Sequence, residues 1–303
     1  MFSILLQAIL PHHLLSRIML RFLRLRWFWL KNLQIRLFID RFKIDMSQVR
    51  HPDITSFEHF NAFFVRAMRA DARPIYQPDN SRSYCSPVDG TVSCFGLINK
   101  AKLIQAKGID YSLTELVGTR DDIIEQFRDG CFATIYLSPC DYHRVHMPAA
   151  GRLKSMTCVP GRLFSVSDRF VRNLSNLFNR NERVVCLFDT DHGCVALVLV
   201  GAIFVGCMDT VWHGTVTPPH RSSIQHVEYN PDDAPYLNKG DEMGRFNMGS
   251  TVIVLWSAQD MQWNDDFIVG ESVQMGNNIA YRKESNMERY GCESEISKNY
   301  SEY

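Results

Sequence analysis

Along the first 45 residues, apolar and basic positions recur with a helical period. Leu15, Ile18, Phe22, Leu25 and Trp29 fall along one side. Arg17, Arg21, Arg24 and Lys31, spaced by 4, 3 and 7, fall along another. A further helix is predicted over 54–70, with Ser56 as its N-cap, before Pro74 and Pro78 mark a loop. From about residue 84 the pattern changes. Short β-branched and apolar runs broken by Gly and Pro occupy 91–98, 131–138, 152–159, 183–188, 194–206, 209–217 and 251–256. One helix is predicted over 112–128, and the polar stretch 281–303 reads as a loose tail. No repeat of fixed period is present. The pattern predicts an α+β protein: N-terminal amphipathic helices, then a β-rich, antiparallel, barrel-like body.

Charge sharpens the division. The 303 residues carry 33 basic and 33 acidic side chains, a formal net charge of zero, which argues against a protein that coats nucleic acid. The zero is a sum of unlike parts. Residues 1–43 hold eight basic residues and one acid, Asp40, so the head is +7 and the remainder −7. A helix with arginines on one face and Phe22, Trp27, Phe28 and Trp29 available to the other has the composition of one lying in an anionic membrane surface. The first sixteen residues are too short and interrupted to span a bilayer, and their flanks do not fit a signal peptide. Nine cysteines without a Cys-x-x-Cys pair read as free thiols of a reducing cytosol.

Three segments carry candidate chemistry. Ser86-Pro87-Val88-Asp89-Gly90-Thr91 is by itself a turn signal. Tyr136-Leu137-Ser138-Pro139-Cys140-Asp141-Tyr142-His143-Arg144-Val145-His146 places two histidines three apart. That spacing can ligate a metal, but no third Cys or His follows at a fixed spacing, so no metal is expected and acid–base work is the better reading. Gly244-Arg245-Phe246-Asn247-Met248-Gly249-Ser250-Thr251 leads into an apolar strand. It is not a Gly-x-Ser-x-Gly elbow, and the chain has no P-loop.

Taken together and in this order, the three segments resemble the bacterial-type phosphatidylserine decarboxylase proenzymes. Gln105-Ala106-Lys107-Gly108, Pro160-Gly161-x-Leu163-Phe164-Ser165-Val166 and Asn181-Glu182-Arg183-Val184 agree as well. The likeness runs from about residue 50 to 276, and more loosely through the head. Met248 stands where the usual pattern has Leu, an apolar exchange that leaves the motif's character intact.

The resemblance implies a self-cleaving zymogen. The chain would cut itself between Gly249 and Ser250 into a β chain, 1–249, and an α chain, 250–303. Ser250 would become a pyruvoyl group, the pyruvate cofactor, to which phosphatidylserine binds as a Schiff base and loses CO₂ to give phosphatidylethanolamine. Carried over by motif, Asp89, His146 and Ser250 form a triad for the cleavage. His143 is the nearby active-site histidine, expected to donate a proton in the mature enzyme. The expected division is a membrane-associating head (1–45), a catalytic domain (46–280) and a polar tail (281–303). The expected place is the cytoplasmic face of the bacterial inner membrane, peripherally bound and associated as a homo-oligomer. Backbone amides of 161–166 are candidates to grip the lipid phosphate. Other readings of the same residues are a pyruvoyl decarboxylase of a soluble amino acid, a serine hydrolase using Asp89, His146 and Ser250, and a non-catalytic membrane-bound β module.

Overall fold

The computed structural model describes residues 7, 9–106, 109–203, 207–218 and 220–283. Lys107 and Gly108 of the fourth motif and residues 284–303, most of the expected polar tail, lie outside the described residues.

The head forms two helices, α1 (His12–Leu23) and α2 (Phe28–Phe42). The helix expected over 54–70 is shorter. A 3₁₀ turn at Ile54–Ser56 precedes α3 (Phe60–Phe64), whose cap is His59, its ring nitrogen accepting from the Ala62 amide at 2.9 Å. Ser56 instead turns its hydroxyl to the Asp53 carbonyl. The predicted 112–128 helix is two, α4 (Leu113–Val117) and α5 (Asp121–Phe127), because Gly118 takes a left-handed conformation (φ 82°) that ends the first.

The body is antiparallel β-structure built on a nine-stranded sheet. Its strands run in the order Gln225–Glu228, Gly151–Val159, Arg183–Thr190, Gly193–Val200, Thr251–Trp256, Cys131–Tyr136, Gly90–Leu97 and Ser272–Val273, with Tyr236–Leu237 also on Gly151–Val159. Among the described residues the sheet runs open between its two outer strands and does not close into a barrel. The run expected over 209–217 is the hairpin Met208–Thr210 and Gly214–Thr217, which joins Glu242–Phe246 and Arg144–His146 in a four-stranded sheet.

Thr251–Trp256 is paired on both sides and buried at every position. A continuous run of Val, Ile, Leu and Trp is what a strand covered on both faces requires. A smaller cluster of Leu23, Ile35, Phe60, Phe63 and Phe64 ties the head helices together. Met248 packs against both this cluster and the main core. The head therefore reaches the segment just before Ser250.

Candidate active site

Ser250 sits at the entrance of the most deeply buried strand and is itself fully buried. Its carbonyl accepts from the Leu137 amide at 2.8 Å. Its Oγ donates to the Val200 carbonyl and accepts from the Thr251 amide. On the other side of the peptide bond, the Asn247 carbonyl accepts from Asn61 Nδ2 at 2.8 Å, and the Asn247 amide donates to the Cys207 carbonyl. The Gly249–Ser250 bond thus lies in a short loop clamped at both ends. A Cβ at Gly249 would come within 3.2 Å of the Leu137 carbonyl and 3.4 Å of His143 Cε1, so glycine keeps this approach open.

His143 lies against Gly249 and stacks on Phe64, the ring centroids 4.1 Å apart. Its Nε2 lies 3.4 Å from the Pro139 carbonyl, to which only an N–H can donate. Its Nδ1 then carries the lone pair, and among the described residues that atom has no partner. Complete burial, reinforced by the Arg66 charge, pushes the imidazole down to about 3. It is therefore neutral at pH 7, with the Nδ1 lone pair left unpartnered.

His146 is held differently. Its Nδ1–H donates to the Gly240 carbonyl at 2.8 Å, leaving Nε2 to accept from the Tyr142 hydroxyl at 3.2 Å. Burial lifts the Tyr142 phenol to about 12, which keeps that donor protonated. Burial also lowers the His146 pKa, against the opposing pull of the Gly240 carbonyl. Asp89 ends the turn before the Gly90–Leu97 strand. A Cβ at Gly90 would fall 2.3 Å from the Tyr136 carbonyl, so the turn needs glycine there. The Asp89 carboxylate takes a forked contact from Arg73, at 2.6–3.1 Å, and accepts from the Met275 amide at 2.8 Å.

A family model described as phosphatidylserine decarboxylase matches residues 60–281, and a second, described as PSD, matches 2–43. The phosphatidylserine decarboxylase proenzyme of Alkalilimnicola ehrlichii is 52% identical over 250 residues, 82% of this chain and 86% of that protein. The proteins of the same name in Nitrosococcus oceani and Ectopseudomonas mendocina are each 49% identical, over 270 and 275 residues. These stretches are 89% and 90% of this chain and 88% and 95% of the relatives. The chain belongs to the phosphatidylserine decarboxylase family.

In this family member the three motif segments meet in one region. The His146 amide donates to the Pro87 carbonyl, joining the Asp89 turn to the histidine segment, while Leu137 and His143 border the Gly249–Ser250 bond. The hydrogen bonds of Asp89, His146 and Ser250 go to Arg73, Gly240, Tyr142 and Val200 rather than to one another. The 161–166 amides are largely taken. Leu163 donates to His12 Nδ1, Phe164 to Asn181 Oδ1 and Ser165 to Gln7 Oε1, so this stretch docks the head instead of presenting free donors to a phosphate.

Arg73 and Arg66 escaped the sequence reading because neither lies in a motif. Arg66 is buried, donates to the Cys140 carbonyl at 3.2 Å and is pushed down to about 10 by desolvation, so it remains a cation beside His143. Tyr142 lies inside the histidine segment, but only the fold brings its hydroxyl to His146. A cavity of ≈ 750 Å³ lined by Thr91, Gln105, Tyr136, Val166, Val171 and Arg172 adjoins the site. Tyr136 is the cross-strand partner of both Thr91 and Thr251, so the strand that carries it links the cavity wall to the residue that follows Ser250.

Proposed function

We propose that the chain cuts itself at Gly249–Ser250 to make a pyruvoyl group and with it decarboxylates phosphatidylserine to phosphatidylethanolamine at a membrane surface. The observation that carries this reading is the buried Gly249–Ser250 bond, bordered by a neutral histidine, in a chain of this family.

The cleavage uses the chain's own atoms. Ser250 Oγ adds to the Gly249 carbonyl carbon, the C–N bond breaks, and an ester with a free Ser250 amine results. Loss of the Ser250 Cα proton to a base then expels the Gly249 carboxylate. The remaining dehydroalanine tautomerises, and water replaces its nitrogen, releasing ammonia. Asp89 and His146 are assigned to this step, His146 as base and Asp89 as its orienter. For that work His146 and Ser250 must exchange their present partners, Tyr142, Gly240 and Val200.

The residues fit a pyruvoyl group at position 250: the position is fully buried, the glycine before it keeps the approach beside Leu137 and His143 open, and the ≈ 750 Å³ cavity is lined by Tyr136, the cross-strand partner of Thr251. The group supplies an electron sink for the charge left when CO₂ departs. His143, with its unpartnered Nδ1 against Gly249, is assigned to pass on the proton that replaces CO₂; Nδ1 holds a lone pair as folded, so it must first take that proton from water entering with the substrate. That same placement favours a second reading, in which His143 is the cleavage base. His146→Ala and His143→Ala separate the two on a denaturing gel. In the first reading only the His146 variant stays whole, and the His143 variant is cut but inactive.

The proposed place is the cytoplasmic face of the inner membrane, and the head supports the peripheral part of that reading. Among the described residues no helix is long and apolar enough to cross a membrane. Yet Leu14, Ile18 and Phe22 on α1 and Trp27, Phe28, Trp29, Leu33 and Leu37 at α2 are exposed, beside the exposed Arg17, Arg21 and Arg36. An apolar row flanked by cations suits the interface of a bilayer carrying an anionic substrate lipid.

A further inference from the structure

Away from Ser250, the head meets the body at three polar side chains. His13 comes from α1, Glu182 from the residue before the Arg183–Thr190 strand, and His220 from the segment after Thr217. One ligand atom from each lies within 4.8 Å of the others. His220 Nδ1 is 2.6 Å and His13 Nδ1 3.9 Å from Glu182 Oε2, and the two rings are 4.0 Å apart. The Glu182 side chain is 4% exposed and that of His220 9%.

Three atoms of this cluster have no hydrogen-bond partner among the described residues: His13 Nδ1, Glu182 Oε1 and His220 Nε2. Buried polar atoms are rarely left so. The tautomer of His13 adds to the case. Its Nε2–H donates to the Gly161 carbonyl at 2.9 Å, so Nδ1 presents a lone pair toward the carboxylate. A ring nitrogen tied to a backbone carbonyl, with the other aimed at a carboxylate and a second imidazole, is how proteins orient metal-binding histidines.

We propose that His13, Glu182 and His220 bind a divalent transition-metal ion of the zinc type, which fastens α1 to the β body. Two imidazoles and one carboxylate favour zinc over magnesium or calcium, which take oxygen ligands. A tetrahedral ion with bonds of about 2.0–2.1 Å holds its ligand atoms about 3.3 Å apart. The 2.6 Å contact would open and the 3.9 Å gap would close, with water in the fourth position. The role is structural but not remote. The Glu182 carbonyl accepts from the Gly201 amide, and the adjacent Val200 carbonyl holds Ser250 Oγ.

The alternative is a metal-free ion pair between Glu182 and a protonated His220. The test uses the full-length chain, stripped with EDTA and titrated with Zn²⁺ by calorimetry, then with Co²⁺ by absorption spectroscopy. The expected result is one ion per chain, a tetrahedral cobalt spectrum without thiolate charge transfer, and a higher unfolding midpoint in Zn²⁺ than in EDTA. His13→Asn and His220→Asn should each weaken binding at least ~100-fold, yet keep the wild-type midpoint in EDTA. A thiolate-type cobalt spectrum, Zn²⁺ binding equal in the double variant, or no binding at all would overturn the proposal. If a single variant fails to fold in EDTA, the cobalt spectrum of the unmodified chain still decides.

Discussion

The head and the β body differ in how much large apolar surface they leave exposed. In α1 and α2 the polar His12, Ser16, Lys31 and Asn32 turn inward beside Leu23 and Ile35, while Trp27, Phe28 and Trp29 are each at least 60% exposed. In the body, all of Thr251–Trp256 is buried within a core made mostly of apolar side chains. Both regions obey the same preference for removing apolar surface from water. The difference is in what surrounds them: the body supplies its own apolar environment, and the head leaves a row of large apolar side chains exposed, the row proposed above to meet a membrane.

The contrast is broken most severely in the body. Leu255→Ala should cost about 3 kcal/mol in denaturant unfolding of the uncleaved chain, by lost burial and the cavity left behind. Replacing Ile18, Phe22 and Trp29 together with Ser should leave that stability nearly unchanged but weaken binding to phosphatidylserine vesicles roughly a hundredfold, measured by co-sedimentation. A drop in unfolding stability equal to that of Leu255→Ala would mean the head row packs on protein, not lipid.

Lys31 sharpens the comparison at smaller scale. Its expected place was the basic face with Arg17 and Arg21, but its ammonium is buried, donating to Asn32 Oδ1 and to the Ile54 and Thr55 carbonyls. Lys31→Ala should lower stability by about 1–3 kcal/mol and leave the salt dependence of vesicle binding alone. Arg21→Ala should do the reverse, weakening vesicle binding about fivefold at low salt.

The smallest effect is pH-dependent. His143 is held near 3 by burial, whereas an unfolded histidine titrates near 6.5. Between these values the unfolded chain binds the proton and the native chain does not, so the His143 contribution falls as pH drops from 6.5 toward 3. Asp141 works the other way: burial lifts it to about 6, so its contribution is full below 3.8 and is lost as pH rises through 6. His143→Asn in an uncleaved background should therefore gain stability relative to its parent as pH falls below 6.5. A pH-independent gap would show that His143 titrates in the folded chain as it does in the unfolded one.

Much of this was legible in the sequence, and the exceptions share a cause. Val252 to Trp256 announced a central strand because both faces of that strand are covered, so no alternation interrupts the apolar run. The break at Gly118 was invisible inside an amphipathic stretch, since a left-handed residue leaves no mark on periodicity. The segments holding Asp89, His143, His146 and Ser250 could be named from their motifs. Their partners could not, because Arg73, Tyr142, Gly240 and Val200 reach them through pairings that only the folded chain brings about. The His13, Glu182 and His220 cluster is the extreme case, three residues drawn from 208 positions of chain with no spacing to announce them.

The central claim is that Gly249–Ser250 is the bond the chain cuts and that Ser250 becomes the electron sink. Intact mass of the purified protein tests it directly, beside the Ser250→Ala variant. The account predicts two chains, 1–249 and 250–303, the smaller without a free N-terminal amine, and a single uncut chain for the variant. An active protein whose mass shows one chain with Ser250 unchanged, or a Ser250→Ala chain still cut at this bond, would contradict it.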